Sequence, residues 1–391
     1  MKKLYILLIA ILSLNLANAQ WTAQSSGSFN VLYALNFINA NTGYVVGDGG
    51  TILKTINGGT TWNALTSGTT QTLHSICRID TNTFYVAGSN GKILKTINGG
   101  TNWDTLTTGV SNSFLTIVFP DANTGYAVGN SGMIIKTKNA GASWSVLPTG
   151  ITKNFFSAYF TDTATGYAVG QSGKILKTTD GGATWTAQTS GTTEWLYGVY
   201  FTDANTGYAV MDYGGILKTT NGGTTWSAIN TGNPELTTSI YFRNSTTGYI
   251  TADNGTILKT TNAGSTWTVQ NTNPSYYLEA VYFVDNNIGY AVGENGTILK
   301  TTNGGSAAIA EINTNNKMSV YPNPAKDKIT IELIGNKEKA SYEIYNTIGQ
   351  LIYNGDMLEK ITINTSSFAP GVYFIKLNNG KEIEFKKIVI E

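Results

Sequence analysis

The chain has one cysteine, one histidine, two arginines and seven prolines among its 391 residues. A single thiol, Cys77, excludes an intramolecular disulfide even in a compartment that would permit one. One thiol and one imidazole also exclude zinc sites assembled from Cys and His. His74 and Cys77 stand three apart on a strand-like run, which simple alternation places on opposite faces. That argues against a Cys–His dyad and for a small buried Cys beside a rim His. Charge is sparse as well, at 13% of residues with a net of +1. From residue 20 to 316 there are 13 basic and 15 acidic side chains, which leaves no electrostatic footprint for nucleic acid. Beyond the first twenty residues no apolar run is long enough for a helical membrane span. Residues 121–125 resemble the start of a calcium loop, but Gly132 stands where its bidentate Glu belongs, so they read as a turn. Gly-x-Ser-Gly at residues 129–132 and 170–173 lacks the spacing and context of a nucleophile elbow. No catalytic residue, metal or cofactor is expected.

What is present is a period. Tryptophan falls at 21, 62, 103, 144, 185, 226 and 267, always 41 residues apart, and Ala308 takes the next place. A spacing held without insertion means stacked copies of one supersecondary unit. Gly-Tyr recurs with it, from Gly43-Tyr44 to Gly289-Tyr290, with Phe84-Tyr85 as the deviant. A lysine preceded by Ile-Leu or Ile-Ile recurs from Lys54 to Lys300. In the first copy, residues 31–38, 43–48, 51–56 and 61–66 read as strands bounded by Asn, Gly and Thr. Four short strands per copy is the pattern of a propeller blade, so the expected fold class is all-β, a seven-bladed β-propeller. One column holds only small residues (Ala34, Ser75, Thr116, Ser157, Gly198, Ser239, Ala280), as strands converging on an axis require. The last copy has three strands and no Trp strand, whereas Trp21 heads one with no predecessors, so residues 21–25 are expected to complete the last blade and remove its free edge. The lysines, on the third strand outward, are expected to cover apolar surface with their stems.

These residues resemble a known family. Thr-Gly-Tyr-Ala-Val-Gly followed by Gly-x-Ile-Leu-Lys-Thr-Thr-Asn-Gly-Gly-x-Thr-Trp looks like the photosystem II stability/assembly factor repeat, and residues 178–185 are similar to the Asp-box (BNR) repeat of sialidases. The resemblance spans about residues 21–306 and implies the propeller fold, not an activity. Sialidases hold the substrate carboxylate with three arginines; this chain has only Arg78 and Arg243, so that activity is not carried over.

The two ends read separately. Residues 1–19, with Lys2-Lys3, an apolar run and Ala17-Asn18-Ala19, have the form of a secretory signal peptide cleaved between Ala19 and Gln20. The propeller is assigned to 20–308 and a linker to 309–316. Residues 317–391 carry 10 basic and 9 acidic residues, a far denser charge, and short β-like runs that suggest a small sandwich. Tyr321, Pro322, Asn323 and Pro324, then Gly349, Pro370, Gly371 and Tyr373, and the Lys386-Lys387 end resemble the type A C-terminal sorting domain of the type IX secretion system. The resemblance implies the type IX machinery as a partner. It also implies export through the periplasm to the outer-membrane surface of a Gram-negative bacterium or to the medium, which argues against a photosystem client.

One constellation points to a ligand. The loop after the second strand of a blade and the loop between blades share a face. The position opening the first is Asp212, Asp253, Glu294 and Asp48 in four consecutive blades, against Ser89, Asn130 and Gln171 in the others. Trp195, Tyr197, Tyr213 and Tyr277 stand on the same side. Carboxylates beside rings suit an extracellular glycan or a surface protein. The reading is an exported, monomeric, non-enzymatic binding or scaffolding propeller. The alternative is a secreted glycoside hydrolase with a carboxylate pair drawn from the acidic arc.

Overall fold

Short β-rich runs broken every few residues by Gly, Asn and Thr leave the chain only tight antiparallel connections. The computed structural model describes residues 20–270, 272, 276–306, 318–333, 339–347, 349–378 and 383–391. The expected leader 1–19, with Ala19, and the expected linker 309–316 lie outside the described residues. The chain divides into two compact units, one spanning Ala17–Ala307 and one holding Ala308–Glu391.

The described residues of the first unit form seven four-stranded antiparallel sheets. In blade 1 the strands run Leu32–Phe37, Gly43–Gly47, Ile52–Thr55 and Asn63–Leu65 from the axis outward. Blades 2 to 6 repeat that order, with innermost strands Leu73–Arg78, Phe114–Val118, Phe155–Phe160, Leu196–Phe201 and Thr237–Phe242. Blade 7 takes Leu278–Phe283, Gly289–Gly293 and Ile298–Thr301 from the end of the repeat and its outermost strand, Thr22–Gln24, from the start, with Thr22 opposite Lys300. Trp21 is fully buried there, edge-on to Phe283 with ring centroids 5.7 Å apart. Innermost strands of successive blades touch all the way round, Leu32–Phe37 against Leu278–Phe283 included.

Packing between blades repeats one device. The tyrosine of each second strand stacks on the phenylalanine ending the first strand of the next blade. Six such pairs, from Tyr290–Phe37 to Tyr249–Phe283, have centroids 3.9–4.4 Å apart and planes within 15–21°. The glycine before each tyrosine is required because the cross-strand phenylalanine ring lies over it. A Cβ at Gly43, Gly125 or Gly166 would meet that ring at 2.4 Å.

The lysines do more than was expected of them. Each Nζ donates to a backbone carbonyl in the turn of the next blade, at 2.6–2.9 Å for Lys54, Lys95, Lys177, Lys218, Lys259 and Lys300, and likewise for Lys136. The same carbonyl accepts the hydroxyl of the neighbouring tyrosine at 2.7–2.9 Å, as in Tyr44 to Gly99 and Tyr290 to Gly58. Adjacent blades are close enough at the third strand for a side chain to bridge them, contrary to the stem-covering reading. The Asp-box holds the accepting turn in shape: Asp180 takes bonds from Thr178, the Thr184 amide and the Thr184 hydroxyl, and the Gly182 amide donates to Thr178.

Blade 2 departs from the pattern in a compensated way. Arg78 occupies the phenylalanine position and Phe84 the glycine position, and the two are direct cross-strand partners. The ring has moved from one member of the pair to the other. Phe84 is fully buried against Tyr44 at 4.5 Å, and Arg78 is free to donate to the Ile38 carbonyl at 3.1 Å.

The second unit is a two-sheet β structure. Met318–Tyr321, Lys328–Leu333 and Lys360–Asn364 form one sheet, and Leu351–Met357, Ala340–Asn346, Gly371–Asn378 and Ile383–Ile390 the other. Met318, Ile329, Ile331, Ile344, Ile375 and Ile388 fill its core.

The blade 2 exchange predicts strong coupling. Phe84→Gly alone should cost about 3–5 kcal/mol by emptying the slot, and Arg78→Phe alone about 1–3 kcal/mol by placing two rings in it. The double variant should recover near wild-type stability in urea unfolding, and additive losses would contradict this packing.

Candidate functional site

The innermost strand of every blade carries a β-bulge near its first residues. In blade 1, Leu32 pairs with Gly47 and Ala34 with Val46, so Tyr33 is an extra, unpaired residue. The same shift occurs in the other six blades. A bulge re-aims the side chain it carries. Here it turns residue 33 and its equivalents toward the axis together with the small-residue column, whereas strict alternation would send them apart. The two columns line an axial cavity of about 430 Å³.

The small column behaves as its size suggests: a Cβ at Gly198 would meet Val210 at 3.1 Å, and Ser75 and Ser157 accept amide hydrogens from the next blade, at 3.2 Å from Ile117 and 3.3 Å from Val199. The bulge column does not repeat. It reads Tyr33, His74, Leu115, Phe156, Tyr197, Thr238 and Glu279 around the ring. Sequence reasoning picked only Tyr197 out of it as a ligand residue, because alternation hid the column's direction and only its failure to repeat marked it.

The structure gathers most of the expected ligand residues around this mouth. The loop after the second strand and the loop between blades are tied by one backbone bond per blade, for example Asp48 N to Val31 O at 2.9 Å and Glu294 N to Tyr277 O at 2.9 Å. Tyr197 and Tyr277 line the cavity itself. Asp48 accepts from the Thr72 hydroxyl at 2.9 Å and interacts with Tyr33, whose phenol is pushed up to about 12 by burial and by the charge of Asp48. Asp212 faces Tyr197, and burial together with that carboxylate raises the Tyr197 phenol. Asp253 is half-buried and engages the Tyr277 hydroxyl, yet its Oδ1 is buried with no hydrogen-bond partner among the described residues. Glu294 is exposed at the rim. Trp195 lies tilted over Phe156 at 5.6 Å, and Phe156 stacks on Tyr197 at 5.2 Å, forming an aromatic wall on blades 4 and 5. Tyr213 is 77% exposed, with a φ of 56° at a place where other blades carry Gly, Asn or Ser, and makes no ring contact among the described residues.

Glu279 is the carboxylate at the centre of the site. Burial, then the charges of Glu294, Asp253 and Asp48, push its pKa up to about 7. Asp253 is raised by burial and by Glu235 and Glu294. His74, the only basic side chain in the lining, is lowered by burial, leans on Tyr33 at 5.1 Å and shares a hydrogen bond with Ser89 at 3.1 Å. It is therefore a cavity residue, deeper than a rim, and it brings no charge near neutral pH. Among the described residues no group of His, Cys, Asp and Glu is placed to hold a metal ion. A larger depression of about 770 Å³ on the outer edge is lined by Gly, Ser, Thr, Ala and aliphatic residues without an ionisable group. Its equivalent recurs in blade 4, so it belongs to the repeat.

In the second unit the expected sorting residues act largely as pins within the fold. Asn323 donates to the Lys387 carbonyl and accepts from the Val389 amide, at 3.0 and 2.9 Å. The Tyr373 hydroxyl donates to Ala369 at 2.8 Å, beside Pro370 and Gly371. The Gly349 amide closes the Asn346–Gln350 turn, and Lys386 reaches the Met318 carbonyl at 3.5 Å. Tyr321 bonds to Glu332 at 2.5 Å, and the adjacent Pro322 and Pro324 flank Asn323.

The model for photosynthesis system II assembly factor YCF48 matches residues 14–144, 136–234, 188–269 and 226–348, together well over half of the chain. The chain belongs to the YCF48 family. Residues 319–391 match the secretion system C-terminal sorting domain, so this YCF48-family propeller carries the tail of proteins sorted by the type IX system to the cell surface or medium. Among solved structures it is similar to YCF48 bound to D1 peptide, with 19% identity, a TM-score of 0.64 and coverage of 72% of this chain and 95% of that one. It is similar to YCF48 from Cyanidioschyzon merolae, with 19% identity, a TM-score of 0.61 and coverage of 72% and 98%. PorZ, a surface component of the type IX secretion system of Porphyromonas gingivalis, aligns over 94% of this chain and 60% of its own at 13% identity, with a TM-score of 0.57. These likenesses establish the fold. No curated protein matches the chain.

The electrostatics of Glu279 give a signed expectation. Its folded pKa, about 7, exceeds the ordinary carboxyl value, so the folded state holds a proton that the unfolded state has released between about pH 4.5 and 7. Wild-type stability should fall as pH rises through that window. Glu279→Gln should be more stable than wild type at pH 8 by about 3 kcal/mol and no different at pH 4, read from paired thermal melts. Equal pH profiles would contradict the burial of this group.

Proposed function

We propose that this chain is an exported, non-enzymatic propeller that holds an extracellular ligand at the axial mouth of its loop face. One observation carries the reading. In a molecule whose packing columns recur blade after blade, the column facing the axis carries Tyr, His, Leu, Phe, Tyr, Thr and Glu, and its rim carries Asp48, Asp212, Asp253 and Glu294 on one side only. Packing demands no such asymmetry, and recognition of an unsymmetrical ligand does. A peptide or protein ligand is favoured over a glycan, since a solved YCF48 is described with a peptide bound. The test is a glycan array and a random linear peptide library screened against the full chain and its Trp195→Ala/Tyr197→Ala variant. A ligand held by wild type and at least tenfold weaker on the variant supports the reading; binders indifferent to the change, or none, reject it.

The hydrolase reading draws on Glu279, held near neutrality beside Asp48 and Glu294. Sugar released from array glycans by wild type and not by Glu279→Gln would favour it.

For localisation we propose passage through the periplasm and then across the outer membrane. Removing residues 319–391 should leave the propeller in the periplasm, and its undiminished appearance at the surface or in the medium would count against this route.

A further inference from the structure

The ligand class follows from what surrounds the cavity, granted the loop-face binding reading above. The blade 7 side presents Glu279 in the cavity lining, and the charges of Glu294, Asp253 and Asp48 act on it from outside that lining. The lining holds no lysine or arginine, and its single histidine is neutral near pH 7. A carboxylate in a cavity without a cation, with like charges around it, is relieved by a cationic donor. A metal ion does not fit, because the carboxylates stand on separate blades and no coordinating group forms among the described residues. A guanidinium does not fit well either, since its planar fork is matched by one carboxylate taken bidentately. An ammonium is a compact point charge with rotatable donors and needs no planar match. Across the ring, Phe156 and Tyr197 provide a flat apolar wall for methylenes. Outside the cavity, Trp195, Tyr213 and Tyr276 are exposed on the same loop face, more contact surface than a free small amine would cover.

We propose that the axial cavity receives a protonated lysine side chain presented by a peptide segment, its ammonium at Glu279 and its stem against Phe156 and Tyr197. The peptide backbone and neighbouring side chains then rest on the aromatic rim.

The experiment selects a random linear peptide library on the full-length protein at pH 7.5. A selected peptide, the same peptide with its lysine acetylated, and 1,5-diaminopentane are then titrated by calorimetry. Acetylation keeps the stem and removes the charge. Selected peptides should be enriched in lysine, and acetylation should weaken binding at least tenfold. Glu279→Gln should weaken the lysine peptide tenfold or more and narrow its advantage over the acetylated form. Thermal melts of that variant, expected to be at least as stable as wild type above pH 7, show that it is folded. Peptides sensitive to Trp195→Ala/Tyr197→Ala yet indifferent to acetylation would overturn the lysine assignment and leave the mouth as a binding site. Diaminopentane binding as tightly as the peptide would overturn the peptide source. Binders indifferent to both variants would overturn the site itself.

Discussion

The structure depends on one shared acceptor. In each blade a turn residue with positive φ, such as Gly58, Gly99 or Ala140, presents its carbonyl to the preceding blade, where a tyrosine hydroxyl and a lysine ammonium both bond to it. The ammonium also lies 5.1–5.9 Å from the centre of that tyrosine ring. A charge-assisted bond of this kind is worth about 1.5–3 kcal/mol. The device ties three elements together: the second strand that carries Tyr, the third that carries Lys, and the next blade's Asp-box turn. Inserting a residue between any two of them would break contacts in two neighbouring blades at once. That is the physical reason for a 41-residue spacing without drift.

The repeat made much of the fold readable. The expected strands of the first copy differ from Leu32–Phe37, Gly43–Gly47, Ile52–Thr55 and Asn63–Leu65 only at their ends, because alternation and turn residues are local signals. The donation of Thr22–Gln24 to blade 7 followed from register alone. What stayed hidden was non-local or broke the period of two. The lysines' partners lie 45 residues away in sequence, or 242 for Lys300, so a lone sequence shows only their stems. The Arg78 and Phe84 exchange looks like two unrelated deviations until the strands are paired. The bulge at Tyr33 turns a residue to the axis against the alternation used to read its strand. For the candidate site, the rim carboxylates and aromatics were visible as departures from the repeat, whereas Glu279 and Phe156 were not.

Repetition and asymmetry therefore divide the molecule by task. Between blades every column answers the same packing demand, and near-identical residues meet it each time. At the axial mouth, space replaces contact, and the copies diverge into an acidic side over blades 5, 6, 7 and 1 and an apolar side around Phe156. Clustering carboxylates without cations nearby works against the folded state, as the raised pKa of Glu279 records. Such unfavourable placement concentrates where a site has a task other than holding itself together.

The strand that finishes blade 7 has a further consequence for any cut near the front of the chain. Trp21, wholly enclosed, is followed at once by the three residues that cover the sheet edge of Ile298–Thr301. Any protease that trims the front of this polypeptide must halt ahead of that indole. A cut only a few bonds later would strip the clasp from the wheel and leave a raw edge competent to recruit a neighbour's strand. Closure of the wheel thus depends on Trp21 and the three residues after it staying attached to the chain.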